Sequence, residues 1–265
     1  MIFPNRHILT STLLAFSILN TTISQDVYSK IDSIFLDEEK FILELVNTIK
    51  KTKINNKFQK EIIVVNDGST DNTKQIISKI KNIKIINQKN LGKGRAVQNG
   101  IKIASGNLIL IQDGDLEYNP KDYDKMLLPF LFKKKITVFG SRVLMNKIKN
   151  KNKFFAGKHP KQNYGPFFMN IILQNLFKIL YKQNITDLLT GYKIYEKEVI
   201  NKLNIETNGF ETDHEITAKL VRHGYSIEEV PINYNPRTKA DGKKINFLDG
   251  IKAIYTIVKY RWKRF

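Results

Sequence analysis

The sequence predicts an α/β fold, a mostly parallel sheet flanked by helices, and three observations lead there. Aliphatic runs alternate with amphipathic segments between residues 37 and 139, the rhythm of βαβ crossovers. The runs Ile62-Ile63-Val64-Val65, Ile83-Lys84-Ile85-Ile86 and Leu108-Ile109-Leu110-Ile111 are almost free of polar residues, as strands covered on both faces are. Each ends in a polar loop, and open parallel sheets gather such loops along one ligand-binding edge.

From Asp37 to Lys51, Phe41, Ile42, Leu45, Val46 and Ile49 recur at helical spacing behind an acidic first turn. Glu61 to Val65 is a buried strand, and Asn66-Asp67-Gly68-Ser69-Thr70-Asp71 supplies turn and cap residues before a second helix. The strand Ile83 to Ile86 leads to the loop Asn90-Leu91-Gly92-Lys93-Gly94 and a helix through Ala104. Leu108 to Gln112 is the central strand, with Gly114 expected to turn the chain sharply at its end. A helix over 120–132 and the strand Ile136 to Phe139 follow. Residues 143–163, rich in Lys and Asn, are expected as a mobile loop. Phe167, Phe168, Ile171, Ile172, Leu176, Ile179 and Leu180 give a helix with a broad apolar face. A last amphipathic helix carries Phe247, Ile251, Ile254, Tyr255, Val258 and Tyr260 among Lys252, Lys259, Arg261, Lys263 and Arg264; it suits either a membrane interface or packing on the domain.

With 265 residues and 42% hydrophobic content, the chain can build one sizeable domain with its own core. Cysteine is absent, which excludes disulfides and thiolate metal sites, so a metal must sit on oxygen or histidine. The formal net charge of +19 points to an anionic partner, although the excess of Lys over Arg and the abundance of Ile and Asn also fit an AT-rich codon bias. No RNA- or DNA-binding module is recognisable, so a nucleic-acid partner is not expected. Ile8 to Leu19 is an apolar run too short to span a bilayer, with the size of a signal-peptide core or a peripheral anchor.

Asp113 and Asp115 stand one residue apart where the central strand ends. Carboxylates so close repel each other unless a cation lies between them, and hard oxygen ligands suit Mg²⁺ or Mn²⁺; a solvated turn capping the next helix is the plainer alternative. Glu117 offers a third oxygen nearby. Asn66 and Asp67 end a strand on the same edge, where they serve either as turn and cap residues or as hydrogen-bonding partners of a nucleoside. Gly92, Lys93 and Gly94 form a small loop with a point charge suited to phosphate.

Together these segments resemble the family 2 glycosyltransferases of GT-A (Rossmann-like) fold, particularly the dolichyl- and polyprenyl-phosphate sugar synthase branch. The matching blocks are Glu61 to Asp71, Asn90 to Gly94, Gln112 to Pro120, Gly140-Ser141-Arg142, Thr186 to Lys193, Gly209 to Glu215 and Pro236 to Lys244. The resemblance runs from about residue 33 to the C-terminus. It implies a leader over 1–32 outside the match, a glycosyltransferase domain over 33–235, and a basic loop with an amphipathic helix over 236–265. It also implies that Asp113, Asp115 and Glu117 form the metal site, and that Asn66, Asp67, Gly68, Gly92, Lys93 and Asp113 meet the donor. Ser141, Arg142, Arg237 and Lys243 would meet donor or acceptor phosphates.

The expected reaction is metal-dependent, inverting transfer of a hexosyl unit from a UDP- or GDP-sugar to polyprenyl phosphate or a related lipid-linked acceptor, at the cytoplasmic face of an anionic membrane. Asp115 stands at the reacting diphosphate. A phosphate acceptor is largely ionised near neutral pH and needs little general base, whereas a hydroxyl acceptor would call on Glu211, Asp213 or Glu215. His214 either approaches the metal or makes a structural hydrogen bond. One departure concerns the start: family members open with a strand ending Pro-x-Tyr-Asn-Glu-Glu, whereas Ser33-Ile34-Phe35-Leu36 runs directly into Asp37-Glu38-Glu39. An alternative function is therefore a sugar-nucleotide or lipid-phosphate binding protein without turnover.

Overall fold

In a computed structural model, which describes residues 12–17, 41–151, 157–159, 164–236 and 247–264 (residues 12–17 and 247 as backbone alone), a 7-stranded sheet divides two layers of helices. Its strands are β1 (Thr12–Ser17), β2 (Ile63–Asp67), β3 (Lys84–Gln88), β4 (Leu108–Asp113), β5 (Ile136–Ser141), β6 (Lys193–Glu196) and β7 (Ser226–Pro231), in the order β3-β2-β1-β4-β6-β5-β7. β2, β3, β4, β5 and β7 run one way; β1 and β6 run against their neighbours. The ends of β2, β4 and β5 therefore open on one edge, as expected for a mostly parallel sheet.

The helices are α1 (Ile42–Lys51), α2 (Thr73–Ser78), α3 (Lys93–Ile103), α4 (Tyr123–Leu127), α5 (Arg142–Lys149), α6 (Tyr164–Tyr181), α7 (Lys197–Lys202), α8 (Thr212–Arg222) and α9 (Phe247–Trp262). The apolar positions predicted for α1 are the ones it buries: Ile42, Leu45, Val46 and Ile49. Every residue of β2 is buried, and so are Leu108 to Gln112 of β4, which explains why these strands lack polar alternation. β4 lies at the middle of the sheet, where the sequence put it.

Several expectations need correction. Residues 142–149 form α5 rather than part of a loop, because Ser141 caps the helix by accepting from the Leu144 amide at 3.1 Å and basic residues fill its last turn. The helix expected over 120–132 is broken into two 3-10 turns around the short α4; Pro129 has no amide to donate to a continuous helix. In the acidic loop the left-handed turn falls on Leu116 (φ 54°) and not on Gly114. Within the apolar run Ile8 to Leu19, Thr12–Ser17 form β1, which lies between β2 and β4 with Thr12 opposite Asp67 and Leu14 opposite Asp113. The departing segment Ser33 to Glu39 and the basic residues Arg237 and Lys243 lie outside the described residues.

Candidate active site

Three elements converge on the end of β4. Asp67, at the end of β2 and fully buried, accepts from Gln88 Nε2 at 2.7 Å and from the Leu91 and Gly92 amides at 2.7 and 2.9 Å. Its carboxylate thus fastens the loop that precedes α3, where Gly92 adopts φ 92° and lets the chain enter the helix. Lys93, the first residue of α3, then reaches Asp113 Oδ1 at 2.9 Å and Asp213 Oδ2 at 3.6 Å. Asn66 accepts from the Ser69 amide at 2.8 Å and donates to Asn87 at 3.1 Å. Asn66 therefore shapes the Gly68 turn, and Asp67 positions Lys93.

Burial works against the Lys93 ammonium, but Asp113 and Asp213 more than offset it and raise its pKa. Burial likewise opposes ionisation of Asp213, yet Lys193 and Lys93 hold its carboxyl below the usual range. Asp115 goes the other way: burial first, then the charges of Asp113 and Glu117, push it well above the ordinary carboxylate value. Leu116, left-handed between Asp115 and Glu117, keeps these acids on one tight loop; the Glu117 amide donates back to Asp115 Oδ1 at 3.1 Å. This set fits a divalent cation: oxygen donors, negative charge crowded in a small volume, and one carboxyl whose ionisation a dication would restore. Among the described residues, no three acids or histidines stand in a ready metal-ligating cluster, so closure of the site requires side-chain movement or ligand oxygens. Gly191 matters here, since a Cβ on it would sit 2.5 Å from Asp113 Oδ2 and 3.1 Å from the Tyr118 ring.

A second charged centre borders the first. Arg142 grips the fully buried Asp187 with Nε and Nη2, each at 2.7 Å, and its own amide adds a third bond at 3.0 Å. Asp187 is held in turn, because Glu229 accepts from the Asp187 amide at 3.0 Å and the Thr186 amide at 2.8 Å. Ser141 meets Thr186 hydroxyl to hydroxyl at 2.7 Å. The Arg142 guanidinium lies 4.9 Å over the ring of Tyr234, whose hydroxyl donates to Glu117 at 2.6 Å. One aromatic side chain thus joins the cationic centre to the acidic loop. Beside that loop, a cleft of about 310 Å³ is lined by Glu44, Thr48, Glu117, Tyr118, Asn233 and Tyr234.

The carboxylates of the 209–215 segment separate by position. Asp213 shares Lys93 with Asp113. Glu211 accepts from the nearby Gly209 amide at 3.2 Å. Glu215 faces away, taking the Glu206 and Thr207 amides at 2.9 and 2.8 Å and Lys219 Nζ at 2.6 Å. His214 is buried, and its Nδ1 has no hydrogen-bond partner among the described residues; burial, then Lys193, lower its pKa to about 3, so it is neutral near neutral pH. Sequence reasoning missed Lys193, Asp187 and Tyr234. Lys193 is a buried ammonium whose pKa burial lowers, and a lone cation inside the apolar run Tyr192-Lys193-Ile194-Tyr195 was its available signal. Asp187 lay inside a matching block, but its pairing with Arg142, 45 positions away, is visible only in three dimensions.

Comparison with known proteins agrees with this architecture. An uncharacterized protein of Methanocaldococcus jannaschii is 28% identical over 227 residues, covering 84% of this chain and 87% of its own. A dolichyl-phosphate beta-glucosyltransferase of Trichomonas vaginalis, ALG5A, is 28% identical over 232 residues, 83% of this chain and 67% of its own. Among solved structures, glucosyl-3-phosphoglycerate synthase from Mycobacterium tuberculosis in complex with Mn²⁺, uridine diphosphate and phosphoglyceric acid superposes with a TM-score of 0.61 at 16% identity, over 92% of this chain and 86% of that one. This likeness establishes the GT-A fold. The sequence model described as glycosyl transferase family 2 matches residues 34–203, well over half of the chain. The chain belongs to glycosyl transferase family 2.

Proposed function

We propose that this glycosyltransferase moves a hexosyl unit from a UDP- or GDP-sugar to polyprenyl phosphate or a related lipid-linked acceptor at the cytoplasmic face of a membrane. The observation that carries the reading is the junction of the acidic loop with the Arg142 centre through Tyr234, an arrangement suited to a metal diphosphate beside a second phosphate. The dolichyl-phosphate relatives supply the precedent for a lipid phosphate, and the Mycobacterium tuberculosis synthase for uridine diphosphate with Mn²⁺.

In this reading Asp113, Asp115 and Glu117 hold Mg²⁺ or Mn²⁺. The cation, when bound, offsets the charge that gathers on the departing nucleoside diphosphate. Lys93, which already bridges Asp113 and Asp213, would supply a cation to the diphosphate. Arg142, with Asp187 fixing its plane, presents its remaining N–H groups to the acceptor phosphate. An acceptor phosphate oxygen forms the new bond to the anomeric carbon as that carbon's bond to the diphosphate oxygen breaks, with inversion. The products are a glycosyl lipid phosphate and a nucleoside diphosphate, and no proton need be removed from a dianionic acceptor. Asp213, ionised beside two lysines, is the carboxylate best placed to assist a hydroxyl acceptor.

The test is a screen of radiolabelled UDP- and GDP-sugars with polyprenyl phosphate and Mg²⁺ or Mn²⁺. The expected product is an acid-labile, lipid-soluble sugar phosphate from one donor. Donor binding by calorimetry without product from any acceptor would instead assign a binding function.

A further inference from the structure

α6 and α9 lie side by side and run the same way. Gly250 packs against Met169, the Tyr181 hydroxyl donates to the Ile257 carbonyl at 2.7 Å, and Arg261 Nε donates to the Leu180 carbonyl at 2.7 Å. α9 buries Ala253, Ile257 and Tyr260 against the domain, and α6 buries Leu173, Phe177 and Tyr181. The sequence-level choice for α9 between domain packing and an outward-facing role is thus settled in part, because one face packs. The opposite face is also apolar. Ile172 and Ile179 of α6 and Leu248, Ile251, Tyr255 and Trp262 of α9 are exposed, with Ile179 at 66% and Tyr255 and Trp262 at 64%.

At 3.6 residues per turn the outward apolar stripe of each helix lies roughly opposite the stripe it buries. Lys178 then falls on the edge of α6 away from α9, and Lys252 and Lys259 on the edge of α9 away from α6. An apolar strip with Tyr and Trp near its surface and lysines on both margins has the cross-section of an interfacial membrane element: apolar groups enter the acyl boundary while the lysine stems reach back to anionic headgroups. No helix among the described residues is long and apolar enough to cross a bilayer, so the element would lie along the surface. Its other side adjoins the Arg142 centre, for Asn170 and Gln174 of α6 both donate to the Thr186 carbonyl, next to Asp187.

We propose that the outward face of α6 and α9 docks this protein on an anionic lipid bilayer, with α6 as the wall between the bilayer surface and Arg142. The orientation toward an acceptor headgroup rests on the lipid-phosphate reading above; docking itself does not. A second copy of the chain fits less well, since its basic margins would meet like charges.

The test is sedimentation with phosphatidylcholine vesicles, with and without phosphatidylglycerol, using the full chain and the variants Ile179→Asp, Trp262→Asp and Lys178→Glu/Lys252→Glu, each checked for native circular dichroism. Binding should require phosphatidylglycerol, weaken with salt, and fall roughly tenfold or more in each Asp variant. Transfer to a short, water-soluble phosphate acceptor should be unchanged in those variants. Vesicle binding equal in wild type and variants would overturn the proposal, as would no binding at low salt or a dimer dissociated by Trp262→Asp. If docking held but no donor or acceptor turned over, the catalytic reading would fall and the docking face would stand.

Discussion

Two lysine–carboxylate clusters each draw an acid from α8, Asp213 in one and Glu215 in the other, and they differ in how completely they are closed. In α8, Lys219 and Glu215 pair at 2.6 Å with both side chains at 0% exposure. Glu215 also accepts from two amides and the Thr207 hydroxyl, and Lys219 donates to the Asn204 carbonyl at 2.7 Å. At the rim, Lys93 bridges Asp113 and Asp213, whose side chains still reach solvent, and the neighbouring Asp115 is held toward its neutral form by burial and by the acids around it. The same chemical pair is fully enclosed in one place and open to solvent on its carboxylate side in the other. Completeness of local hydrogen bonding, not burial alone, separates them.

The contrast is broken most strongly at the enclosed pair. Lys219→Met leaves Glu215 buried without its cation and should cost about 3–5 kcal/mol in urea unfolding. Lys93→Met, whose partners can rehydrate, should cost no more than about 1–2 kcal/mol. Transfer should show the reverse. Lys93→Met should lower kcat/KM on the order of 10²- to 10³-fold, about 3–4 kcal/mol, as for loss of a preorganised electrostatic group. Equal stability losses for the two variants would erase the distinction.

Gly191→Ala sharpens it at the rim: the added methyl would crowd Asp113 Oδ2 and the Tyr118 ring, at a cost of about 1–3 kcal/mol and with weaker Mn²⁺ retention. Retained Mn²⁺ affinity in a folded Gly191→Ala protein would mean that Asp113 is not held where this geometry needs it. The smallest effect concerns pH. Burial opposes the Glu215 charge, but Lys219, Thr207 and two amides bring its pKa below the ordinary value. Its contribution to stability is therefore present above the unfolded glutamate pKa, about 4.3, and is lost as pH falls through the lower folded value. Wild type should lose stability on acidification below that point more steeply than Glu215→Gln.

Much of this was legible in the chain. Unalternated aliphatic runs located β2 and β4, where local sequence and buried position coincide, and also β3, although it is a partly exposed edge strand; the two acids after Ile111 marked the rim where β4 ends. β6 was not seen as a strand: four residues, one of them the buried Lys193, give no periodic signal. β1 was obscured for the opposite reason, since an apolar run of that length reads equally as a targeting segment and as a strand. α5 was hidden by composition, its helical state depending on one cap at Ser141. At the site, residue types were readable but partnerships were not. Asp67 has the sequence of a ligand contact and the hydrogen bonds of a loop anchor. Arg142 is defined by Asp187 and Tyr234, which only folding brings to it.

The Asp113–Asp115–Glu117 loop is proposed to become a dication site when a nucleoside diphosphate arrives. A Mn²⁺ titration followed by electron paramagnetic resonance, with and without UDP or GDP, tests it on wild type and on Asp113→Asn and Asp115→Asn. The account predicts tight Mn²⁺ binding that depends on one nucleotide in wild type and is lost in both variants. Nucleotide-dependent Mn²⁺ binding of equal strength in all three proteins would contradict it.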